Sequence, residues 1–310
     1  MKGKILAAAA LPLIAAGVFT GELYRHVFAR GGSPLLTPLL DKKGHAEDYY
    51  RHRDSAAERL RRLPQERWEI RSARGKRLAG FYIPGAVQGR RVAFLVHGYR
   101  SEHAETAGMY YDYYRSRGFD LFCCDHEAHG ESEGRLIGFA SFEVDDCLRW
   151  IDELRRRLGP DVQILLHGFS MGAATVLQMA PRCPESVRAI VADSGFRDAS
   201  LQLRGQLGAM YPVLAALHRA LAGADLSKAD ALGALEGARV PILFVHGRED
   251  ASVPFENGPA LYARYRGPKA ALFSDGVRHI ETMHLRPDAY EQALDALIAQ
   301  SFPPGAPSEG

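Results

Sequence analysis

The chain has 310 residues, of which 46% are hydrophobic and 25% are charged, and a chain of this size and composition can bury a substantial core. Its 39 Lys and Arg residues nearly balance 37 Asp and Glu residues, which gives a formal net charge of +2. This balance excludes nucleic-acid binding that depends mainly on electrostatic attraction, so we expect no nucleic-acid partner.

The first predicted element is the uncharged apolar stretch Ile5–Phe19, which two lysines precede. As a helix this stretch would span about 22 Å, which is short of the roughly 30 Å hydrocarbon core of a bilayer. Within residues 1–24 we expect an uncleaved, single-pass membrane anchor. A cleaved signal peptide, giving a secreted protein, and a soluble apolar helix are the alternatives. The flanking charges do not fix the side of the membrane.

Residues 25–66 are predicted to hold a linker and a helix. The segment 29–44 is rich in Gly and Pro, whereas the charged segment 46–63 has helical character. Residues 67–302 are expected to form one α/β domain, and the Pro- and Gly-containing tail 303–310 is expected to be disordered.

The short apolar runs of residues 67–302 are typical of strands that are covered on both faces. A hairpin comes first, from Trp68–Ser72 and Arg77–Ile83. Helical segments separate most of the later runs, which favours a mostly parallel sheet with helices on both faces. These runs are Val92–Val96, Phe119–Cys124, Gln163–His167, Arg188–Ala192, Pro241–Val245 and Ala270–Phe273.

One connection in this pattern is long. Between the strands near 187–193 and 241–246, the segment 201–235 is mostly helix-forming, and we expect a small helical lid at about 197–238. Its apolar residues would suit an acyl chain, although such residues more often pack a lid onto its domain. They are Leu207, Met210, Tyr211, Leu214 and Leu217.

The cysteines lack the CxxC spacing of metal or redox motifs. Two of them, Cys123 and Cys124, are adjacent in an apolar run, and the others are Cys147 and Cys183. We therefore expect buried free thiols rather than a metal site or a disulfide framework.

The motif Gly168-Phe169-Ser170-Met171-Gly172 lies between a strand-like run and a helix-like segment. A nucleophile elbow occupies this position, and its sharp turn needs small neighbours. Ser170 is therefore the candidate nucleophile. Glycine and serine are also common turn residues, so the assignment depends on a base, an acid and an anion site elsewhere in the chain.

A serine hydroxyl needs a base that removes its proton during attack, and a third group that orients the base. The candidate bases, His279 and His284, follow the last predicted strand. The candidate acids, Glu249 and Asp250, lie in the loop after the preceding strand. The chain order serine, acid, histidine is the one used by sheets of this class.

The oxyanion that develops during acyl transfer needs preorganised N–H donors. One candidate is the backbone amide of Tyr99, after the tight turn that Gly98 permits. The other is the amide of Met171, at the start of the helix after Ser170, where the helix dipole would assist it. We expect such a site to need neither a metal ion nor an organic cofactor.

These motifs together resemble the α/β-hydrolases, in particular the serine-hydrolase branch with a short helical lid. That branch includes serine aminopeptidase-like and monoacylglycerol lipase-like members and bacterial hydrolases with an N-terminal membrane segment. The resemblance runs from about Trp68 to Ser301 and implies the α/β-hydrolase fold. The matching stretches are His97–Tyr99, Asp125–Gly134, Gly168–Val176, His246–Pro254 and Gly276–Tyr290.

The resemblance also implies which acid and which base act. The family's His-Gly-x-x-Asp-x-x-Val-Pro pattern places the acid at Asp250, with Glu249 as its neighbour. The pattern around the last histidine implies His279, with Tyr290 at the matching distance, and leaves His284 as a minor alternative.

Two stretches depart from the family's pattern. The family usually has Arg and Gly where this chain has Glu127 and Ala128, which is expected to change the electrostatics of the pocket. The usual Gly-His-Gly centre of the last motif is altered to Val277-Arg278-His279.

The sequence therefore predicts a serine hydrolase that cleaves carboxylic ester or thioester bonds of a small-molecule acyl substrate through an acyl-enzyme. A serine peptidase that cleaves amides is the alternative within the same class. A catalytically inactive, membrane-tethered binding module is the alternative from another class.

Overall fold

A computed structural model describes residues 2–40, 45–85 and 91–302, with side chains from residue 15 onward. The predicted tail 303–310 and most side chains of the apolar stretch Ile5–Phe19 lie outside the described residues. The strands are β1 Glu66–Arg71, β2 Arg77–Ile83, β3 Arg91–Val96, β4 Asp120–Cys124, β5 Gln163–Phe169, β6 Val187–Asp193, β7 Ile242–Gly247 and β8 Lys269–Ser274. The helices are α1 Lys2–Phe28, α2 Thr37–Leu40, α3 Glu47–Arg61, α4 His103–Ser116, α5 Glu143–Leu158, α6 Met171–Met179, α7 Ala199–Leu207, α8 Tyr211–Ala222, α9 Ala231–Ala234, α10 Asn257–Arg264, α11 Thr282–Leu285 and α12 Pro287–Ser301.

The strands form one eight-stranded sheet in the order β1-β2-β4-β3-β5-β6-β7-β8. The pairs β1–β2 and β2–β4 are antiparallel, so the predicted hairpin is present, and the remaining pairs are parallel. The predicted fold class, a mostly parallel sheet with helices on both faces, is confirmed. Because the parallel strands end at one edge, the loops that follow β3, β5, β6, β7 and β8 meet there.

Large apolar side chains cover both faces of the sheet. Phe122 and Trp150 are fully buried in the cluster on one face, and Tyr114 and Phe119 are fully buried in the cluster on the other. The inner strands are mostly apolar because neither of their faces meets water.

The connection between β6 and β7 contains the short helices α7, α8 and α9. The Asp198 side chain accepts a hydrogen bond from the backbone N–H of Leu201 at 2.7 Å and so caps the start of α7. Tyr211 and Leu214 of α8 are buried in the core. These contacts hold the inserted helices against the body of the domain.

The helix α1 reaches the domain through its last two turns. Tyr24, Val27 and Phe28 are buried in the same core cluster as the sheet's central strands. The Ile137 N–H donates to the Phe28 carbonyl at 2.8 Å. Across the described residues we find no helical stretch with both the length and the apolar character needed to traverse a bilayer.

The helix α3 packs closely against α4. A Cβ atom at Gly108 of α4 would lie 2.6 Å from the backbone of Ala56 in α3, so the two helices approach at a distance that only glycine permits. Ala57 and Leu60 of α3 are buried in the core cluster on that face. The segments that precede β1 are therefore parts of the domain's packing.

The four cysteines are free thiols in the structure. Cys123, Cys124 and Cys147 are buried, and Cys183 is partly buried.

Candidate active site

Ser170 lies at the turn between β5 and α6 with φ 54° and ψ −115°. A non-glycine residue in this region costs on the order of 1–3 kcal/mol and is found mainly at functional sites. The turn is held by two hydrogen bonds, from the Ser170 N–H to the Asp193 carbonyl at 2.8 Å and from the Ala174 N–H to the Ser170 carbonyl at 3.1 Å. The strained turn projects the hydroxyl from the carboxyl edge of the sheet.

Small residues around Ser170 are required by close approaches of the backbone. A Cβ at Gly172 would lie 2.1 Å from the Val96 carbonyl oxygen, and one at Gly168 would lie 2.3 Å from the Gly172 carbonyl oxygen. These distances leave no room for a side chain, which explains the glycines on both sides of the serine.

His279 and Asp250 form a hydrogen-bonded pair beside this turn. The distance between His279 Nδ1 and Asp250 Oδ2 is 2.6 Å, and both residues are buried. Asp250 Oδ1 also accepts from the backbone N–H groups of Ser252 and Val253 at 2.9 and 2.8 Å. Burial alone would raise the pKa of Asp250, but the hydrogen bonds from His246 and His279 outweigh it and hold this pKa well below its usual range.

The alternative residues have other partners. Glu249 accepts from the backbone N–H of Val277 at 3.0 Å, which fixes the loop that carries His279. The His284 ring instead contacts the Asp48 carboxylate at 3.1 Å. The structure therefore pairs Asp250 with His279, and it places Glu249 and His284 in different contacts.

Ser170 and His279 both line two cavities, of about 550 and 190 Å³. Within the described residues no hydrogen bond joins Ser170 Oγ to the His279 ring. Such bonds are often long without substrate and shorten when the substrate binds. Because Nδ1 of His279 is held by Asp250, Nε2 is the ring nitrogen left to act as a base.

The two predicted oxyanion donors flank Ser170. Met171 is the first residue of α6, where a backbone N–H has no acceptor within its own helix. Tyr99 follows Gly98, whose Cβ, if present, would lie 3.2 Å from the Ser170 Cβ. Tyr99 also lines both cavities. Both amides thus belong to segments that lie against the serine.

A buried network of hydrogen bonds contacts the loop of His279 through Ser194. The Tyr290 hydroxyl donates to Asp193 Oδ2 at 2.9 Å and contacts His167 Nε2 at 2.9 Å. The Ser194 hydroxyl donates to Asp193 Oδ1 at 2.9 Å and accepts from the N–H of Ile280 at 3.2 Å. Burial raises the pKa of Asp193 to about 6, although the hydrogen bonds from Ser194 and Tyr290 act against this rise.

The residues that depart from the family's pattern have defined conformations and contacts in the structure. Ala128 has φ 67°, a conformation that favours glycine, so the expected glycine position is present with a strained alanine. Glu127 is buried, burial raises its pKa, and the Arg74 guanidinium lies 3.8 Å from it. Arg278 bonds Glu281 at 3.0 Å.

The larger cavity is lined by more apolar than polar residues. Of the five lid residues that we expected to suit an acyl chain, the described lining includes Leu207. Tyr211 and Leu214 pack into the core instead. The N-terminal segments also contribute to both cavities, which the sequence motifs do not predict. Leu23, His26 and Val27 of α1 line the larger cavity, and the smaller one is lined by His45, Tyr49, Tyr50 and Arg53, in and just before α3. The i, i+3, i+4 spacing of the three α1 residues places them on one face of the helix, but it does not indicate what that face contacts.

Two clusters in the described part of the chain have the spacing of metal ligands. One consists of Cys124, His126 and Cys147, and the other of Glu102, His103 and Asp125. Asp125 already accepts hydrogen bonds from His103, and burial raises the pKa of the Cys124 thiol well above its usual value. Neither cluster contributes to the lining described for the two cavities at Ser170.

Comparison with known proteins agrees with this fold. Residues 88–232 match the family described as serine aminopeptidase, S33. The uncharacterized protein YfhR of Salmonella typhi is 30% identical over 227 residues, which cover 67% of this chain and 72% of that protein. The uncharacterized protein YqkD of Bacillus subtilis is 25% identical over 190 residues, which cover 58% of this chain and 62% of that protein, less than two thirds of its length.

Among solved structures, the esterase Pf2001 of Pyrococcus furiosus has the same fold, with a TM-score of 0.61 and 16% identity over 84% of this chain and 96% of that chain. The fold, the serine elbow and these matches agree with the resemblance of the sequence motifs. The chain belongs to the α/β-hydrolase superfamily.

Proposed function

We propose that the protein is a serine hydrolase that cleaves carboxylic esters of small-molecule acyl substrates, thioesters included, through a Ser170–His279–Asp250 triad. The observation that carries this proposal is the 2.6 Å contact between His279 Nδ1 and Asp250 Oδ2 beside the strained turn of Ser170. An ionised acid paired with an imidazole next to a partly exposed serine is the arrangement that activates a serine nucleophile.

The positions of these groups support the following reaction. Ser170 Oγ attacks the substrate carbonyl while His279 Nε2 takes its proton, and Asp250 stabilises the imidazolium that forms. The amides of Tyr99 and Met171 donate to the oxyanion. Collapse of this intermediate expels the alkoxide or thiolate, which takes the proton from His279 and leaves as the alcohol or thiol, with the acyl group on Ser170. Water, deprotonated by His279, then attacks the acyl carbonyl, and His279 returns this proton to Ser170 Oγ as the carboxylic acid leaves.

Labelling with a fluorophosphonate probe tests the nucleophile directly. We expect the full-length protein to be labelled and to hydrolyse p-nitrophenyl esters, and we expect Ser170→Ala to abolish both. Ser116→Ala, at an exposed serine at the end of α4, is the matched control and should leave both unchanged. A folded wild-type protein without labelling would instead favour the inactive binding module.

The leaving-group class is tested by parallel kinetics on an ester, a thioester and an aminoacyl p-nitroanilide. We expect kcat/KM to be highest for the oxygen ester. Faster cleavage of the anilide would overturn the ester assignment and favour the peptidase alternative, which the serine aminopeptidase description of the matching family makes the natural second candidate.

For the cellular location, we propose that the apolar N-terminal half of α1 attaches the enzyme to a membrane. Val18 and Phe19 are 59% and 52% exposed and continue the uncharged stretch that begins at Ile5. Fractionation of cells that express the full chain or a Δ1–14 form tests this proposal, because the deletion spares the turns of α1 that line the cavity. We expect membrane association to be lost in the Δ1–14 form; a soluble full-length protein would contradict the proposal.

A further inference from the structure

The last two turns of α1 present three residues to the larger cavity. Leu23, His26 and Val27 have i, i+3, i+4 spacing, so their side chains form one stripe along the helix. Ser170 and His279 line the same cavity. The stripe of α1 therefore faces the reacting groups across a space of about 550 Å³, within the size range of ligand pockets.

This stripe is held rigidly by contacts of α1 with the oxyanion turn. The hydroxyl of Tyr99 donates to the Val27 carbonyl at 2.8 Å and to the His26 carbonyl at 3.3 Å. Arg100 donates to the His26 carbonyl as well. The helix end is thus fixed to the same residue whose backbone amide is proposed to bind the oxyanion.

The neighbouring face of α1 is fixed to the lid. The hydroxyl of Tyr24 contacts His218 Nδ1 of α8 at 3.2 Å, and the Phe28 ring stacks on the His218 ring with centroids 4.0 Å apart. His218 is fully buried, and burial lowers its pKa to about 4, so the ring is neutral at physiological pH. The helix α1 consequently joins the lid to the oxyanion turn.

The opposite wall of the cavity mixes apolar and polar side chains. Its apolar members are Phe139, Phe196, Leu207 and Val253, and its polar members are Gln202, Gln206 and Ser252. No charged carboxylate, lysine or arginine is among the described residues that line this cavity. The apolar side chains of the two walls can hold an acyl chain whose carbonyl carbon lies at Ser170, and His26, Gln202, Gln206 and Ser252 add polar surface beside it.

We propose that the α1 stripe formed by Leu23, His26 and Val27 is the wall along which the acyl chain of the substrate lies, and that it sets the enzyme's chain-length preference. This inference rests on the proposed ester hydrolysis at Ser170. It assigns a specificity-determining role to a segment that precedes the hydrolase domain in the sequence.

The experiment replaces Leu23 in the full-length protein with a larger and with a smaller side chain, so that the cavity becomes narrower or wider. Leu23→Trp narrows the cavity and Leu23→Ala widens it, and Arg25→Trp places the same large side chain on the exposed face of the same helix as the control. The readout is the ratio of kcat/KM for p-nitrophenyl octanoate to that for p-nitrophenyl acetate. Fluorophosphonate titration corrects each variant for its fraction of active protein.

We expect Leu23→Trp to lower this ratio at least about 10-fold, since a methylene group misplaced in an apolar pocket changes specificity by about 10- to 200-fold. Leu23→Ala should move the optimum toward longer acyl chains, and Arg25→Trp should leave the ratio as in the wild type. Opposite shifts in the two Leu23 variants cannot arise from a general loss of stability.

An octanoate-to-acetate ratio that stays within about 2-fold of the wild type in both Leu23 variants would overturn the proposal, while ester hydrolysis at Ser170 would stand. If the wild type neither hydrolyses esters nor reacts with the fluorophosphonate, the proposed function itself fails and the assignment of the wall fails with it.

Discussion

The loops at the carboxyl edge of the sheet and the N-terminal helices α1 and α3 border the same two cavities, yet they differ in how sequence specifies them. Each edge loop carries a residue with distinct chemistry, such as Ser170 or His279, within a short motif. The N-terminal helices contribute ordinary apolar and aromatic side chains, such as Leu23 and Tyr49. The reacting groups can therefore be recognised from short sequence motifs, whereas the residues that form the cavity walls have only weak sequence patterns.

The largest effect is expected at the sheet edge, from Asp250→Asn. An amide cannot stabilise the imidazolium and favours the wrong tautomer of His279, so kcat on an ester should fall about 10⁴-fold. Glu249→Gln is the matched control, because glutamine can still accept from the Val277 N–H, and it should change kcat little. Equal losses in the two variants would assign both acids to loop structure and contradict the triad.

A smaller effect at the same edge is expected from Gly98→Ala. The new Cβ would lie 3.1 Å from the Phe169 carbonyl oxygen and 3.2 Å from the Ser170 Cβ, so the oxyanion turn would have to shift. We expect kcat to fall about 10²-fold, the size of losing one oxyanion donor. Gly205→Ala, where a Cβ meets open space, should retain full activity in the same assay. Wild-type kcat for Gly98→Ala would remove this turn from the oxyanion site.

The loop that packs against α1 is expected to make the free energy of unfolding depend on pH, through the buried carboxyl group of Glu143. Its carboxylate accepts from the N–H groups of Gly138 and Phe142 at 2.8 and 3.3 Å, and so shapes the loop whose Phe139 ring packs on Phe28 of α1. Burial raises the pKa of Glu143 to about 7. Its ordinary value is 4.5. The folded state therefore binds the proton more tightly than the unfolded state, and the stabilisation present below pH 4.5 is lost as the pH rises to about 7.

Urea unfolding of the wild type and Glu143→Gln at pH 5 and pH 8 measures this effect. We expect the free energy of unfolding of the wild type to fall between these pH values by on the order of 2 kcal/mol more than that of the variant. Parallel pH profiles for the two proteins would show that Glu143 does not ionise in this range.

The smallest effect is expected from Tyr24→Phe, which removes the hydroxyl that joins α1 to His218 of the lid. Nε2 of His218 has no partner among the described residues, so the variant leaves the other buried nitrogen without a hydrogen bond as well. The free energy of unfolding should decrease by about 1–2 kcal/mol. Tyr111→Phe, at a partly exposed tyrosine of α4, is the control. Equal stability of Tyr24→Phe and wild type would show that α1 is not fixed to the lid.

Much of the fold and of the chemistry was predictable, and the reasons are local. The buried strands are short apolar runs, and the turn of Ser170 needs glycines at two fixed positions because backbones approach there. The acid and the base were less certain from residues alone, since each loop offers two candidates. The geometry separates them, because Asp250 bonds His279 whereas Glu249 bonds the Val277 backbone.

By itself the sequence determined the hydrolase fold, the serine elbow and the order of the three candidate catalytic residues, because turn chemistry and strand periodicity act over a few neighbouring residues. The tertiary structure alone decided that α1 and α3 form walls of the cavities and that most of the lid's apolar residues do not. Such contacts join distant parts of the chain, as Tyr24 and His218 do across 194 positions. Side-chain packing over that separation depends on the whole fold, and no local pattern encodes it.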